Sequence, residues 1–125
     1  MTHTIYIFDD DEDIRMMCSI VLKQSGYIVH SAGNCEDIIS KVRAVNPDVV
    51  LMDNSIPPDG GVVATKQLLS SPETSHIPVI YFSANTNVHQ VSIEAGAPFY
   101  IQKPFDLDAL ESILEKAIAS NPKVG

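Results

Sequence analysis

Five side chains in this sequence could do chemistry together: Asp9, Asp10, Asp53, Ser83 and Lys103. Asp53 ends the run Asp48-Val49-Val50-Leu51-Met52-Asp53, and Pro57-Pro58-Asp59-Gly60-Gly61 turns the chain just beyond it. A carboxylate that closes a short apolar run sits where a buried strand emerges, the edge at which open α/β sheets bind ligands. Asp9 and Asp10 follow the run Thr4-Ile5-Tyr6-Ile7-Phe8, Ser83 follows Pro78-Val79-Ile80-Tyr81-Phe82, and Lys103 follows residues 98–102 in the same way. An ionised carboxylate is a nucleophile without the help of a base, so Asp53 suits the capture of a phosphoryl group as an acyl phosphate. Lys103 would place a point charge on one phosphoryl oxygen, and the Ser83 hydroxyl would donate to another.

Three carboxylates at one edge pose an electrostatic problem. Two unit charges about 4 Å apart repel by roughly 4 kcal/mol at an effective dielectric near 20. A hard divalent cation with oxygen ligands relieves that repulsion, and Mg²⁺ leaves coordination positions open for phosphoryl oxygens. No pair of His or Cys has the spacing of a zinc site, and His3, His30, His76 and His89 are scattered as structural or exposed residues. Singly, each candidate has a plainer reading. The acidic run from Asp9 to Asp13 is a solvated helix start, Asp53 a turn or cap residue, Ser83 a turn residue, and Lys103 a surface charge. Their coincidence at one edge favours a site.

That coincidence requires strands at residues 4–8, 27–32, 48–53, 78–82 and 98–102. His30 and Ser31 mark the second as a half-exposed edge strand. Between them, apolar residues recur at helical spacing. Ile14, Cys18, Val21 and Leu22 form a first helix stopped by Gly26, and Cys35, Ile38, Ile39, Val42 and Val45 a second ended by Asn46-Pro47. A third covers residues 62–70 and a short, poorly amphipathic fourth covers 88–95. The last is capped by Asp106 and carries Leu110, Ile113, Leu114, Ala117 and Ile118 as its stripe. Strands alternating with helices imply a parallel sheet covered on both faces. The expected organisation is one domain over residues 4–120, with 121–125 a tail or the start of a linker.

Composition narrows the function. The 125 residues are 45% hydrophobic, enough for a core. No apolar run approaches the roughly 20 residues of a membrane span, and Met1-Thr2-His3-Thr4 lacks the regions of a signal peptide, so the expected location is cytoplasmic. In that compartment Cys18 and Cys35, both placed inside helices, read as buried free thiols. The net charge is -8, from 16 acidic against 8 basic side chains, with Arg15 and Arg43 the only arginines. That argues against direct contact with nucleic acid, which needs clustered Lys and Arg.

From Thr4 to about Ile118 the chain resembles the receiver domain of two-component response regulators. The resemblance rests on Phe8-Asp9-Asp10, Pro47-Asp48-Val49-Val50-Leu51-Met52-Asp53, Ile77-Pro78-Val79-Ile80, Ser83-Ala84, Ala95-Gly96-Ala97 and Lys103-Pro104-Phe105, in the family's order. It implies a flavodoxin-like three-layer α/β sandwich with a five-stranded parallel sheet in the order 2-1-3-4-5. It implies that Asp53 is the phosphoacceptor, with a histidine kinase or histidine phosphotransfer protein as donor. Mg²⁺, or another divalent cation such as Mn²⁺, would be held by Asp10, Asp53 and the backbone carbonyl of Ser55, and by Asp9 through water. Lys103 and Ser83 would assist the transfer, and Ser83 and Tyr100 would form a switch. The switch would alter a protein-binding face made by the fourth helix, fifth strand and fifth helix. Ser55 and Asn85 match positions that tune phosphoryl lifetime, and the Lys103-Pro104 bond is often cis in the family. Such a domain assists its own phosphorylation and dephosphorylation without turning over a separate substrate. As a stand-alone regulator the chain would act through protein contacts, as a monomer or a phosphorylation-dependent dimer; the alternative is a receiver excised from a longer protein. Pro58 after Pro57 and Pro98 before the fifth strand depart mildly from the usual pattern. Two other readings compete. Asp9-Asp10-Asp11 after a strand fits the Asp-x-Asp of haloacid dehalogenase-type phosphatases, although that leaves Asp53 unexplained. A degenerate receiver would lack a site residue, and none is missing.

Overall fold

Strands and helices alternate along the chain, ten elements among the described residues. A computed structural model describes residues 2–103 and 105–123. The strands are β1 (Thr4–Phe8), β2 (Ile28–Ala32), β3 (Val49–Asp53), β4 (Val79–Ser83) and β5 (Phe99–Gln102). The helices are α1 (Glu12–Gln24), α2 (Ile38–Val45), α3 (Gly61–Ser70), α4 (Val88–Ala95) and α5 (Leu107–Ser120). The sheet order is β2-β1-β3-β4-β5, with every pairing parallel. This is the expected flavodoxin-like architecture.

Every residue of β3 and β4 is buried, because both strands have neighbours on each side and helices on each face. The outer strand β2 is largely exposed, as His30 and Ser31 foretold. Side chains alternate between two cores. Tyr6, Phe8, Val50, Met52 and Tyr81 pack with α2, α3 and α4, whereas Ile5, Ile7, Leu51, Ile80 and Phe82 pack with α1 and α5.

Caps set the helix ends near the site. The Asp11 carboxylate accepts from the amides of Asp13 and Ile14, starting α1 one turn past the strand. Asp106 caps α5 in the same way, through the Ala109 amide. One expectation fails locally. Cys35 lies outside α2, since Asp37 takes a left-handed backbone (φ 51°) and the helix begins only at Ile38. Cys35 is nevertheless buried, with its amide donating to the Pro57 carbonyl at 2.8 Å. The expected Lys103-Pro104 cis bond lies outside the described residues, as do the last two positions of the expected tail; a cis bond occurs at Pro57-Pro58.

Candidate functional site

Parallel register carries the ends of β1, β3, β4 and β5 to one edge of the sheet. Phe8 pairs with Met52, Asp53 with Phe82, and Ser83 with Gln102. The residues following these pairs therefore converge. Carboxylate oxygens of Asp9, Asp10 and Asp53 all lie within 4.8 Å of one another, with Asp9 and Asp53 buried and Asp10 exposed. The Lys103 ammonium bridges the two buried acids, donating to Asp9 Oδ2 at 2.8 Å and to Asp53 Oδ1 at 2.9 Å.

The remaining lone pairs of these acids face local amides. Asp9 Oδ1 accepts from the Asp11 amide at 2.9 Å, and Asp53 Oδ2 from the Ser55 amide at 3.1 Å. Ser83 is buried at the end of β4, and its Oγ accepts from the Asn85 amide at 3.1 Å. Tyr100 points away from this cluster. It is 40% exposed and stacks on His89 of α4 with ring centroids 4.6 Å apart. The sequence-derived residues Asp9, Asp10, Asp53, Ser55 and Lys103 are thus brought together. Ser83 stands at the end of the neighbouring strand and Tyr100 on the outer face.

Burial raises the Asp53 pKa above the usual carboxylate value, and the Asp9 charge adds to that; the bond and charge of Lys103 and the Ser55 amide oppose it. For Lys103 burial disfavours the charged form, but the hydrogen bonds and charges of Asp9 and Asp53 prevail, and its pKa is raised. Its ammonium also sits 4.4 Å over the Phe82 ring. Three carboxylates against one ammonium leave two negative charges, the complement of a divalent cation. The donors are all hard oxygens, which fits Mg²⁺ or Mn²⁺ and not zinc.

Four residues around the site, Arg15, Asn54, Gly61 and Tyr81, were not singled out for it by the sequence. Arg15 donates through Nη1 to the Asp9 carbonyl at 2.8 Å, and its guanidinium lies against Gly33. The Tyr81 hydroxyl donates to Asn54 Oδ1. Gly61 approaches the end of β3 so closely that an added Cβ would collide with the Asp53 carbonyl oxygen. A signal existed for Tyr81: a phenol inside a strand as apolar as β4 must find a partner for its hydroxyl. Asp11 weighs against the Asp-x-Asp reading, because its carboxylate is committed to capping α1.

Known proteins resemble this chain in sequence and in fold. The family model for the response regulator receiver domain matches residues 5–115. The regulatory protein AtoC of Escherichia coli is 36% identical over 117 residues, covering 91% of this chain but 25% of AtoC. The chain therefore spans a quarter of that relative's length. A response regulator from Chloroflexus aurantiacus superposes with a TM-score of 0.88 at 27% identity, covering 95% of this chain and 99% of that one. The receiver domain of the sensor histidine kinase PA1611 from Pseudomonas aeruginosa superposes with a TM-score of 0.86 at 23% identity, with the same 95% and 99% coverage. That structure has a magnesium ion coordinated in its active site cleft.

Proposed function

The chain belongs to the response regulator receiver family, and from this we propose that it is a phosphorylation-dependent switch whose phosphoacceptor is Asp53. Receivers of this family are signalling domains that take signals from histidine kinases and act on downstream effectors. The observation that carries the reading for this chain is the meeting of Asp9, Asp10 and Asp53 within 4.8 Å, with Lys103 bonded to two of them.

In the proposed reaction, an Asp53 carboxylate oxygen attacks the phosphorus of a phosphohistidine on a kinase or phosphotransfer protein. The O–P bond forms, the P–N bond breaks, and its electron pair returns to the donor imidazole. Lys103 holds Asp53 in place and offers its charge to a phosphoryl oxygen. Asp10, Asp53 and the Ser55 carbonyl, with Asp9 behind them, would hold Mg²⁺ or Mn²⁺. When bound, that ion supplies neutralisation of the crowded negative charge. Hydrolysis reverses the modification: water attacks phosphorus and the Asp53 carboxylate leaves. The domain thus serves its own cycle and turns over no separate substrate.

Ser83, buried beside the acceptor strand, is placed to donate to the new phosphoryl group once its hydroxyl turns. Tyr100 lies outward on the adjacent strand, which supports a coupled movement that remodels the face of α4, β5 and α5 for a protein partner. A Ser83→Ala variant that takes phosphate and still binds its partner like wild type would refute that coupling. The excess of acidic residues favours protein over nucleic acid as the partner of this domain. Among the described residues no helix is long and apolar enough to cross a membrane. A cytoplasmic location suits a domain that takes phosphate from a kinase.

Incubation with Mg²⁺ and acetyl phosphate, read by intact mass, tests the proposal. One added phosphoryl group is expected, absent in Asp53→Asn. No gain in wild type, or an undiminished gain in Asp53→Asn, rejects it.

A further inference from the structure

The loop beyond Asp53 is gripped by a side chain from the neighbouring strand. Tyr81 is fully buried in β4 and pairs in register with Met52, the residue before the acceptor. A phenol at that depth needs a hydrogen-bond acceptor. Its hydroxyl finds one in the side-chain Oδ1 of Asn54, the residue after the acceptor. Burial, and then the Asp53 charge, push the Tyr81 pKa up to about 12, so the hydroxyl remains a donor. The backbone of Asn54 is also held on both sides. Its amide donates to the Phe82 carbonyl at 3.3 Å, and its carbonyl accepts from the Gly61 amide at 2.9 Å. Gly61 permits this approach, since a Cβ there would lie 2.8 Å from the Tyr81 hydroxyl. Ser55 follows directly, with its amide on Asp53 Oδ2.

We propose that Tyr81 is a positioning residue for the acceptor. Through Asn54 it fixes the segment from Asp53 to Ser55, so that the Ser55 amide stays on the carboxylate while metal and phosphoryl group arrive. The proposal rests on the reading of Asp53 as phosphoacceptor. Gly61 completes the grip from α3. A purely space-filling role for Tyr81 would need only the ring, which phenylalanine supplies.

Tyr81→Phe therefore keeps the packing and removes the bond. The expected results are Ser55 amide hydrogen exchange in the metal-free protein faster by roughly tenfold, and Mg²⁺ affinity and acetyl phosphate reactivity lower by about tenfold. Asn54→Ala, on a residue only partly buried, should reproduce these losses without disturbing the core. Because both variants cut one bond, the double variant should be no worse than the worse single one. Wild-type exchange and reactivity in Tyr81→Phe, or losses that multiply in the double variant, overturn the proposal. Faster Ser55 exchange in Tyr81→Phe, in a protein whose wild type takes no phosphate, would leave the grip standing and remove the acceptor reading instead.

Discussion

β3 is bracketed by two aspartates, and they are treated oppositely. Asp48, just before the strand, is half-buried and satisfied by local donors. Its Oδ2 accepts from the Thr4 amide at 2.8 Å and lies 3.4 Å from His3 Nδ1. Its backbone carbonyl accepts from Asn121 Nδ2 at 3.1 Å, tying the end of α5 to the sheet. Asp53, at the other end, is crowded by Asp9 and shares one ammonium with it. The same residue type is a structural pin at one edge and an unresolved charge at the other. Self-sufficient contacts mark the first as part of the fold. Contacts that leave surplus charge mark the second as a place prepared for something else.

Removing Lys103 should separate the two edges most. Lys103→Ala leaves two buried carboxylates facing each other without a cation, and a loss of about 3 kcal/mol in metal-free stability is expected. Urea unfolding measures it, and Mg²⁺ should restore much of the loss. A loss that Mg²⁺ leaves unchanged would mean that the surplus charge is not what destabilises the carboxyl edge.

A smaller effect is expected at the opposite edge. Asp48→Ala removes an acceptor from the Thr4 amide and should cost about 1 kcal/mol. Mg²⁺ should not restore it, and the rate of phosphorylation by acetyl phosphate should match wild type. A slower rate would show that the two ends of β3 are not independent.

The smallest effect should appear in the pH dependence of stability. The native pKa of Asp53 is raised, so the folded protein keeps that proton to a higher pH than the unfolded chain, whose reference value is 3.8. The Asp53 contribution to stability therefore falls as pH rises from 3.8 through the higher native value, and is level beyond it. Asp53→Asn should remove that fall from the metal-free urea midpoint across the acid range, whereas Asp48→Ala should not. At alkaline pH the sign is the same. Lys103 stabilises below its reference value of 10.5, and that contribution is lost as pH climbs through its raised native value.

The carboxyl-edge half of this contrast was legible in the sequence, whereas the role of Asp48 was not. Apolar runs ending in Asp9, Asp53, Ser83 and Lys103 located the strand ends, and parallel pairing did the rest. What periodicity could not reach were contacts set by tertiary geometry. Cys35 continues the apolar spacing of α2, yet the left-handed Asp37 excludes it from the helix, a backbone choice that side-chain patterns do not encode. Arg15 lies off the apolar stripe of α1, and the loops after β1 and β2 bring Asp9 and Gly33 to its guanidinium. The Tyr81–Asn54 bond joins residues 27 apart in sequence, so it follows from strand order and register and not from spacing.

The central claim is that phosphate is taken by the crowded aspartate and by no other. Sodium borohydride reduces an acyl phosphate to the alcohol, converting a phosphorylated aspartate to homoserine, which peptide mass mapping locates. After treatment with Mg²⁺ and acetyl phosphate, homoserine should occur at position 53 alone. Homoserine at position 9, 10 or 48 in place of 53 would contradict the claim.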